Sequence, residues 1–291
     1  MTAISRRAML TAAGAASVAI AATANPNPTA AANPNTPEVP RDGVAPPYGP
    51  FPPHLLEAER LLGYLDQLPW ESGLNTYRMP APPGQPEQPD RMTWGGPGDP
   101  GSFRNLAQCT SFQTGVLKHS YPQWATDDFF ATYFKSASPQ AWQYHRVFTG
   151  RHGEVPHFTP VKKIDDLRVG DLIALDDLDR QPGDTDTGHM MLVRRLAGRY
   201  TKQGNQDGST QHAVQVVDCT KDPHGVFATG DYPSYPDSRI TSNHKWPGGG
   251  FGHLMLYADD RTGAFTGIRW SVNSSVFNPT SQRAIAVAHI D

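Results

Sequence analysis

Gly170-Asp171-Leu172-Ile173-Ala174-Leu175 and, a short way on, Thr187-Gly188-His189-Met190-Met191-Leu192-Val193 are two apolar runs bounded by Gly and Asp. Each is too short for a helix and ends in turn residues, which marks both as strands. Ala213–Asp218, His253–Tyr257, Ile268–Val272 and Ala284–Ile290 repeat that character, and Asp259-Asp260-Arg261-Thr262-Gly263 reads as a hairpin turn. Upstream the period changes. Leu55, Leu56, Leu61, Leu62, Leu65 and Leu68 recur at helical spacing over His54–Leu68, and Phe112, Val116, Leu117 and Tyr121 do so over Cys109–Tyr121. Thr126-Asp127-Asp128 caps a short aromatic helix through Phe134, and Pro139 opens another through Val147. Helices first and antiparallel strands after them predict an α+β fold, with helices packed on one face of an antiparallel sheet.

The front of the chain reads differently. Residues 1–24 carry Arg6-Arg7, then a small-residue apolar stretch ending Ala22-Thr23-Ala24, which is the pattern of a twin-arginine-type export signal. Residues 25–53 are Pro-rich and mixed with Asn, Ala and Thr, too poor in apolar surface to fold, and are expected to form a disordered tether. Residues 54–291 form the expected folded domain, in which Pro80–Gly101 reads as a long surface loop. These segments hold much of the chain's 28 Pro and 27 Gly among 291 residues. A formal net charge of −3, without a basic stripe, argues against nucleic acid as a partner. No apolar run is long enough for a membrane span, so no integral membrane segment is expected once the signal is removed. Oligomeric state is left open.

Two cysteines, Cys109 and Cys219, are present. In an exported protein they can form one disulfide, or Cys109 can be an inert buried thiol. A third reading makes Cys109 a nucleophile. It opens a predicted helix after a loop, where the backbone dipole and free N–H groups favour thiolate. A thiolate needs a base and a group that orients the base. His189 opens an apolar strand behind Gly188, and Asp218 ends the next strand. Both also have bland readings, as a structural histidine and a turn acid. Strand alternation opposes the two cysteine readings, because an Asp218 that faces the site turns Cys219 to the other face. His253, in Gly252-His253-Leu254-Met255-Leu256, echoes the surroundings of His189 and is a rival base or a cleft residue; Gln108 and Trp270 are expected beside the substrate. The remaining histidines show no ligand spacing, so no metal and no cofactor are expected. The acidic stretch Asp176, Asp177, Asp179, Asp184 and Asp186 fails the calcium-loop spacing and reads as a solvated loop.

In order, a Cys on a helix, a Gly-Asp-apolar strand, a Gly-His-apolar strand and a polar residue on the next strand resemble the NlpC/P60 and CHAP cysteine hydrolases. Gln108-Cys109-Thr110 is similar to the CHAP-type nucleophile motif and Ser111-Phe112 to the NlpC/P60 type. The likeness covers Asn105–Thr220. It implies a papain-like fold and hydrolysis of amide bonds, often in bacterial cell-wall peptides, with a peptide or peptidoglycan as substrate. It also implies Cys109 as nucleophile, His189 as base and Asp218 as the orienting residue. The chain departs from the NlpC/P60 pattern at Gln108, where an Asp is usual, and in the long stretch between the Cys helix and the Gly-Asp strand, which fits an inserted helical lid. The alternative is a non-catalytic secreted binding or structural module held by a Cys109–Cys219 bridge.

Overall fold

A computed structural model of the chain describes residues 51–291 apart from 83, 152, 182–186, 202–203 and 228–234. The expected export signal and the expected tether before residue 51 lie outside the described residues, as do Asp184 and Asp186 of the acidic stretch. Among the described residues no helix is long and apolar enough to cross a membrane.

The chain opens with α1 (Pro53–Leu65), then β1 (Asn75–Tyr77), β2 (Arg91–Thr93) and β3 (Arg104–Ala107). Three helices follow, α2 (Cys109–Ser120), α3 (Asp127–Phe134) and α4 (Ala141–Phe148). After them come β4 (Phe158–Val161), β5 (Leu172–Asp177), β6 (Gly188–Tyr200) and β7 (Ser209–Thr220). The chain finishes with β8 (Gly248–Asp259), β9 (Phe265–Arg269), β10 (Asn278–Pro279) and β11 (Arg283–Ile290). Pro52 and Pro53 start α1, where a missing N–H costs nothing. Thr126 caps α3 by accepting from the Phe129 N–H at 3.2 Å. The fourth helix begins two residues beyond Pro139, with Gln140 as its N-cap.

β1, β3 and β2 form a small sheet in that order, a feature absent from the sequence reading, in which β2 lay inside the expected Pro80–Gly101 loop. Eight strands form the main sheet, in the order β10-β9-β8-β7-β6-β5-β11-β4, and every pairing in it is antiparallel. The Asp259–Gly263 turn joins β8 to β9; the Asp259 carboxylate accepts from the Thr262 N–H at 2.8 Å, and Gly263 has φ +72°.

The expected papain-like α+β fold, with helices covering one face of the sheet, is overturned. Antiparallel sheet dominates: eleven strands stand against four α-helices among the described residues, and the strands from β6 to β8 reach 12 or 13 residues. The physical reason lies in the second sheet face. Leu172, Ala174, Met190, Leu192, Val217 and Cys219 share a core with the helical residues Leu55, Leu61, Phe112, Leu117, Tyr144 and Phe148. Their strand neighbours Ile173, Leu175, Met191, Val193, Val214 and Val216 face the opposite way and are as deeply buried. Among the described residues no α-helix supplies that second core. Val161 of β4, Leu254 of β8, Ile268 of β9 and Val287 of β11 complete it. The sheet rolls over its own apolar face until its two ends meet: Lys163 bridges Ala264, and the Ile164 N–H donates to the Gly263 carbonyl at 2.9 Å. Such closure leaves few unpaired strand edges.

Candidate active site

β3 runs straight into α2, and that junction fixes Cys109. β1 lies parallel to β3 with Tyr77 opposite Ala107, and the Arg78 N–H donates to the Ala107 carbonyl at 2.8 Å. Gln108 turns the chain in extended conformation, its N–H donating to Ser111 Oγ at 2.9 Å, while its side-chain oxygen accepts from Arg78 Nη2 at 2.9 Å. Cys109 is then the first residue of α2, buried to the edge of accessibility. Its N–H, like the others of the first turn, has no acceptor within the helix.

His189 and Asp218 meet through sheet topology. In an antiparallel pair the start of one strand lies beside the end of its neighbour, and Leu192 of β6 pairs with Val217 of β7. His189 shares its face with Met191 and Val193, and Asp218 shares the same face with Val214 and Val216. The His189 Nε2 lies 2.5 Å from Asp218 Oδ2. Cys109 lines the same cavity as His189 and acts on the charge of its ring. Gly188, at φ +127°, makes this strand start possible: a Cβ there would sit 1.9 Å from the Leu175 carbonyl oxygen.

Asp218 is wholly buried and serves more than one partner. Its Oδ1 accepts from Arg239 Nη1 at 2.8 Å, and its Oδ2 also lies 2.8 Å from His224 Nε2. Arg239, itself without exposed surface, is also bound by both Asp237 carboxylate oxygens. It lies so close to β8 that a Cβ on Gly250 would come within 2.7 Å of it. Burial alone would raise the Asp218 pKa, but the Arg239 and His224 charges and the imidazole hydrogen bonds hold it well below the usual carboxylate range. Burial alone would lower the His189 pKa; the Cys109 charge and the bonds to Asp218 and Cys109 outweigh that, and it is raised. The arrangement therefore sets the Cys109 sulfur beside an imidazole whose protonated form is favoured and which an ionised carboxylate backs.

A cavity of about 280 Å³ opens on this group, lined by Tyr77, Cys109, His189, Lys221, Asp222 and Trp270 among others. A neighbouring one of about 190 Å³ shares Tyr77, Cys109, Gly188 and Lys221 and adds Gln108 and Thr187. Cys109 thus borders both cavities. A larger cavity, about 850 Å³, is lined by Phe51, Glu59, Arg194, Arg195 and Tyr235 and holds none of these three residues. Its size carries no chemistry.

Of the residues expected beside the substrate, Gln108 and Trp270 line the two cavities. The Trp270 ring lies edge-on to His189 at 5.0 Å and against His224 at 3.8 Å. His253 is a correction. It lies in the middle of β8 without exposed surface, its Nδ1 2.9 Å from the Pro236 carbonyl, and it lines neither cavity at Cys109. Glycine and a following histidine echo His189, but β8 is covered along nearly its whole length, whereas β6 starts at the cleft. Both cysteines are free thiols. Cys219 faces the helical side, donating to the Ala107 carbonyl at 3.2 Å, and so the bridge weighed in the sequence reading does not form.

The sequence assigns no site role to His224, Asp237, Arg239, Tyr77 and Lys221. The first three lie between β7 and β8, where no periodic pattern announces a role. His189, Asp218 and His224 present ligand-type atoms within 4.8 Å of one another, the spacing a metal ion would need. The donor set does not suit a divalent cation, because the carboxylate already carries a guanidinium on Oδ1 and Nε2 of both imidazoles lies against Oδ2.

No family model matches the chain, and no solved structure matches it. An uncharacterized protein, R653, of Acanthamoeba polyphaga mimivirus is 27% identical over 209 residues, spanning 68% of this chain and 84% of the viral protein.

Proposed function

We propose that this protein is an exported cysteine hydrolase that cleaves an amide bond, with a cell-wall peptide as substrate class. The observation that carries the reading is the meeting of Cys109, at a helix N-terminus, with His189 and Asp218 from two adjacent strands. The resemblance to NlpC/P60 and CHAP hydrolases enters only through the order of these residues. The compartment follows from the twin-arginine-like start of the sequence.

In this reading the Cys109 thiolate attacks the carbonyl carbon of the scissile amide. The Cys109 N–H, free at the helix start, donates to the developing oxyanion. The His189 imidazolium passes its proton to the leaving nitrogen as the C–N bond breaks and a thioester to Cys109 remains. Neutral His189 then takes a proton from water, the hydroxide adds to the thioester, and the thiolate departs with the acid product released. Asp218 holds the ring so that one nitrogen faces the sulfur throughout.

Release of free amines from peptidoglycan by wild type and by Cys109→Ala tests the reading. We expect release by the wild type alone, with the variant melting within a few degrees of it. Equal release by both would refute the proposal, and absence of release by both would refute the substrate class.

A further inference from the structure

His224 has no exposed surface and no place in the mechanism above. Its Nδ1 lies 3.0 Å from the Trp270 carbonyl, which can only accept, so Nδ1 carries a proton. Its Nε2 lies 2.8 Å from Asp218 Oδ2. Arg239 keeps that carboxylate ionised, so it too can only accept, and Nε2 carries a proton as well. A neutral ring would turn a lone pair toward one of the two oxygens.

The surrounding charges fit a cation. Asp218 faces the ring from β7, and the His224 N–H donates to Asp237 Oδ2 at 2.6 Å. Arg239 binds both carboxylates, so the negative charges of Asp218 and Asp237 balance the positive charges of Arg239 and His224. The remaining faces meet the Trp270 ring and, at 5.5 Å between ring centres, His189.

We propose that His224 is a positioning residue: a fixed imidazolium that shares the Asp218 carboxylate with His189 and so sets the pH at which His189 gives up its proton. The inference rests on the Cys109–His189 reading. With His224 charged, part of the Asp218 charge is already neutralised and a second cation repels the His189 imidazolium. His189 therefore releases its proton more readily than Asp218 alone would allow, which suits a group that must act in turn as acid and base.

The test needs no substrate. Iodoacetamide alkylation of Cys109 across pH 4–10 in the full chain follows first thiolate formation and then loss of the His189 proton. In His224→Gln, which keeps an N–H donor without charge, the upper inflection should rise by about 2 pH units, for unit charges at this separation and an effective dielectric near 20. His224→Lys, which returns a cation, should move it back toward wild type. A purely structural His224 would lower the melting temperature and leave the inflection in place, which would overturn the proposal. Two inflections in wild type, unmoved in His224→Gln, would refute this inference alone. A single ordinary thiol inflection in wild type would refute the catalytic pair with it. Should His224→Gln fail to fold, nitrogen-15 histidine spectra of wild type decide: both ring nitrogens of His224 protonated at pH 8 are expected, and a singly protonated ring refutes the idea.

Discussion

Replacing Asp218 by Asn keeps the shape of the side chain and removes its charge, and the structure dictates what happens next. The amide has one oxygen and one NH₂. With its oxygen toward Arg239 Nη1, the NH₂ faces Nε2 of both His189 and His224. Turned the other way, the NH₂ meets the guanidinium, donor against donor. The first orientation is the less costly, and it forces both Nε2 atoms to become acceptors. His224 can comply, since its Nδ1–H to Trp270 survives, and Arg239 keeps both oxygens of Asp237. The loss should therefore sit near the low end of the ~3–5 kcal/mol for a broken buried ion pair. For a domain of this size that is a melting temperature lower by about 6–12 °C at pH 7. Asp218 titrates in the folded state well below its ordinary 3.8. Its contribution is thus fully present above pH 3.8 and is lost as pH falls through the folded value, so the gap between wild type and variant should close in strong acid. The functional effect is larger. With Nε2 accepting, His189 carries its proton on Nδ1, facing a thiol it can no longer deprotonate, and turnover should fall by about 10²–10⁴-fold, the range for a lost general base. Scanning calorimetry and the iodoacetamide pH profile read the two effects. A variant that melts within 2 °C of wild type, roughly 1 kcal/mol or less, with an unchanged profile, would refute this account of Asp218.

Three further outcomes follow from the same geometry. A thiol titration should find one reactive cysteine in the folded protein and two after unfolding, because Cys219 has no exposed surface and burial pushes its thiol pKa up; none in the native state would mean Cys109 is blocked. Gly188→Ala must accommodate φ +127° and a Cβ 1.9 Å from the Leu175 carbonyl oxygen. It should cost about 2–4 kcal/mol in urea unfolding and reduce alkylation of Cys109 at neutral pH, since β6 can no longer start where His189 needs it. The His253 pKa is lowered from 6.5 to about 4 by burial, so the unfolded chain binds a proton that the folded chain refuses between those values. Stability should therefore fall as pH drops from 6.5 toward 4, and His253→Leu should flatten that slope by about 1.4 kcal/mol per pH unit; an unchanged slope would show that His253 is protonated in the folded state.

Much of the local structure was readable before the fold was known. Leucine spacing marked α1 within three residues, the apolar face from Phe112 to Leu117 marked α2, and Thr126 marked the start of α3. The error lay in the sheet. Apolar clustering alone ends one run at Val193 and starts the next at Ala213, although β6 and β7 both continue through polar residues whose backbone pairing carries them on. Leu172-Ile173-Ala174-Leu175 and Met190-Met191-Leu192-Val193 do not alternate. Unbroken apolar runs belong to strands buried on both faces, and a single layer of helices cannot cover two faces. The rolled sheet is therefore implied by the same residues that suggest an α+β layer. The small sheet of β1, β2 and β3 left no such signal, because three-residue strands are set by partners far along the chain.

The meeting of His189 and Asp218 does not depend on how the sheet is covered, for a reason rooted in topology. Bringing His189 to Asp218 needs only that β6 and β7 pair antiparallel, since the start of the one then lies beside the end of the other. Nothing about helices, or about what covers the second face, enters that requirement. Alternation adds that Asp218 and Cys219 cannot share a side, and the structure places Cys219 among helical residues and Asp218 among charges. His224, Asp237 and Arg239 obey no comparable rule. They lie between β7 and β8, and what draws His224 and Arg239 there is the charge of Asp218: a carboxylate without solvent must be met by donors from whichever segment passes over it, and Asp237 is held in turn by Arg239. Reading the sequence again with that rule, the question to ask of a buried acid at a strand end is which later Arg or His completes it. Here three donors, from Arg239, His224 and His189, reach its two oxygens. Their protonation states are therefore coupled, and no one of them can be replaced without changing the proton balance at Cys109.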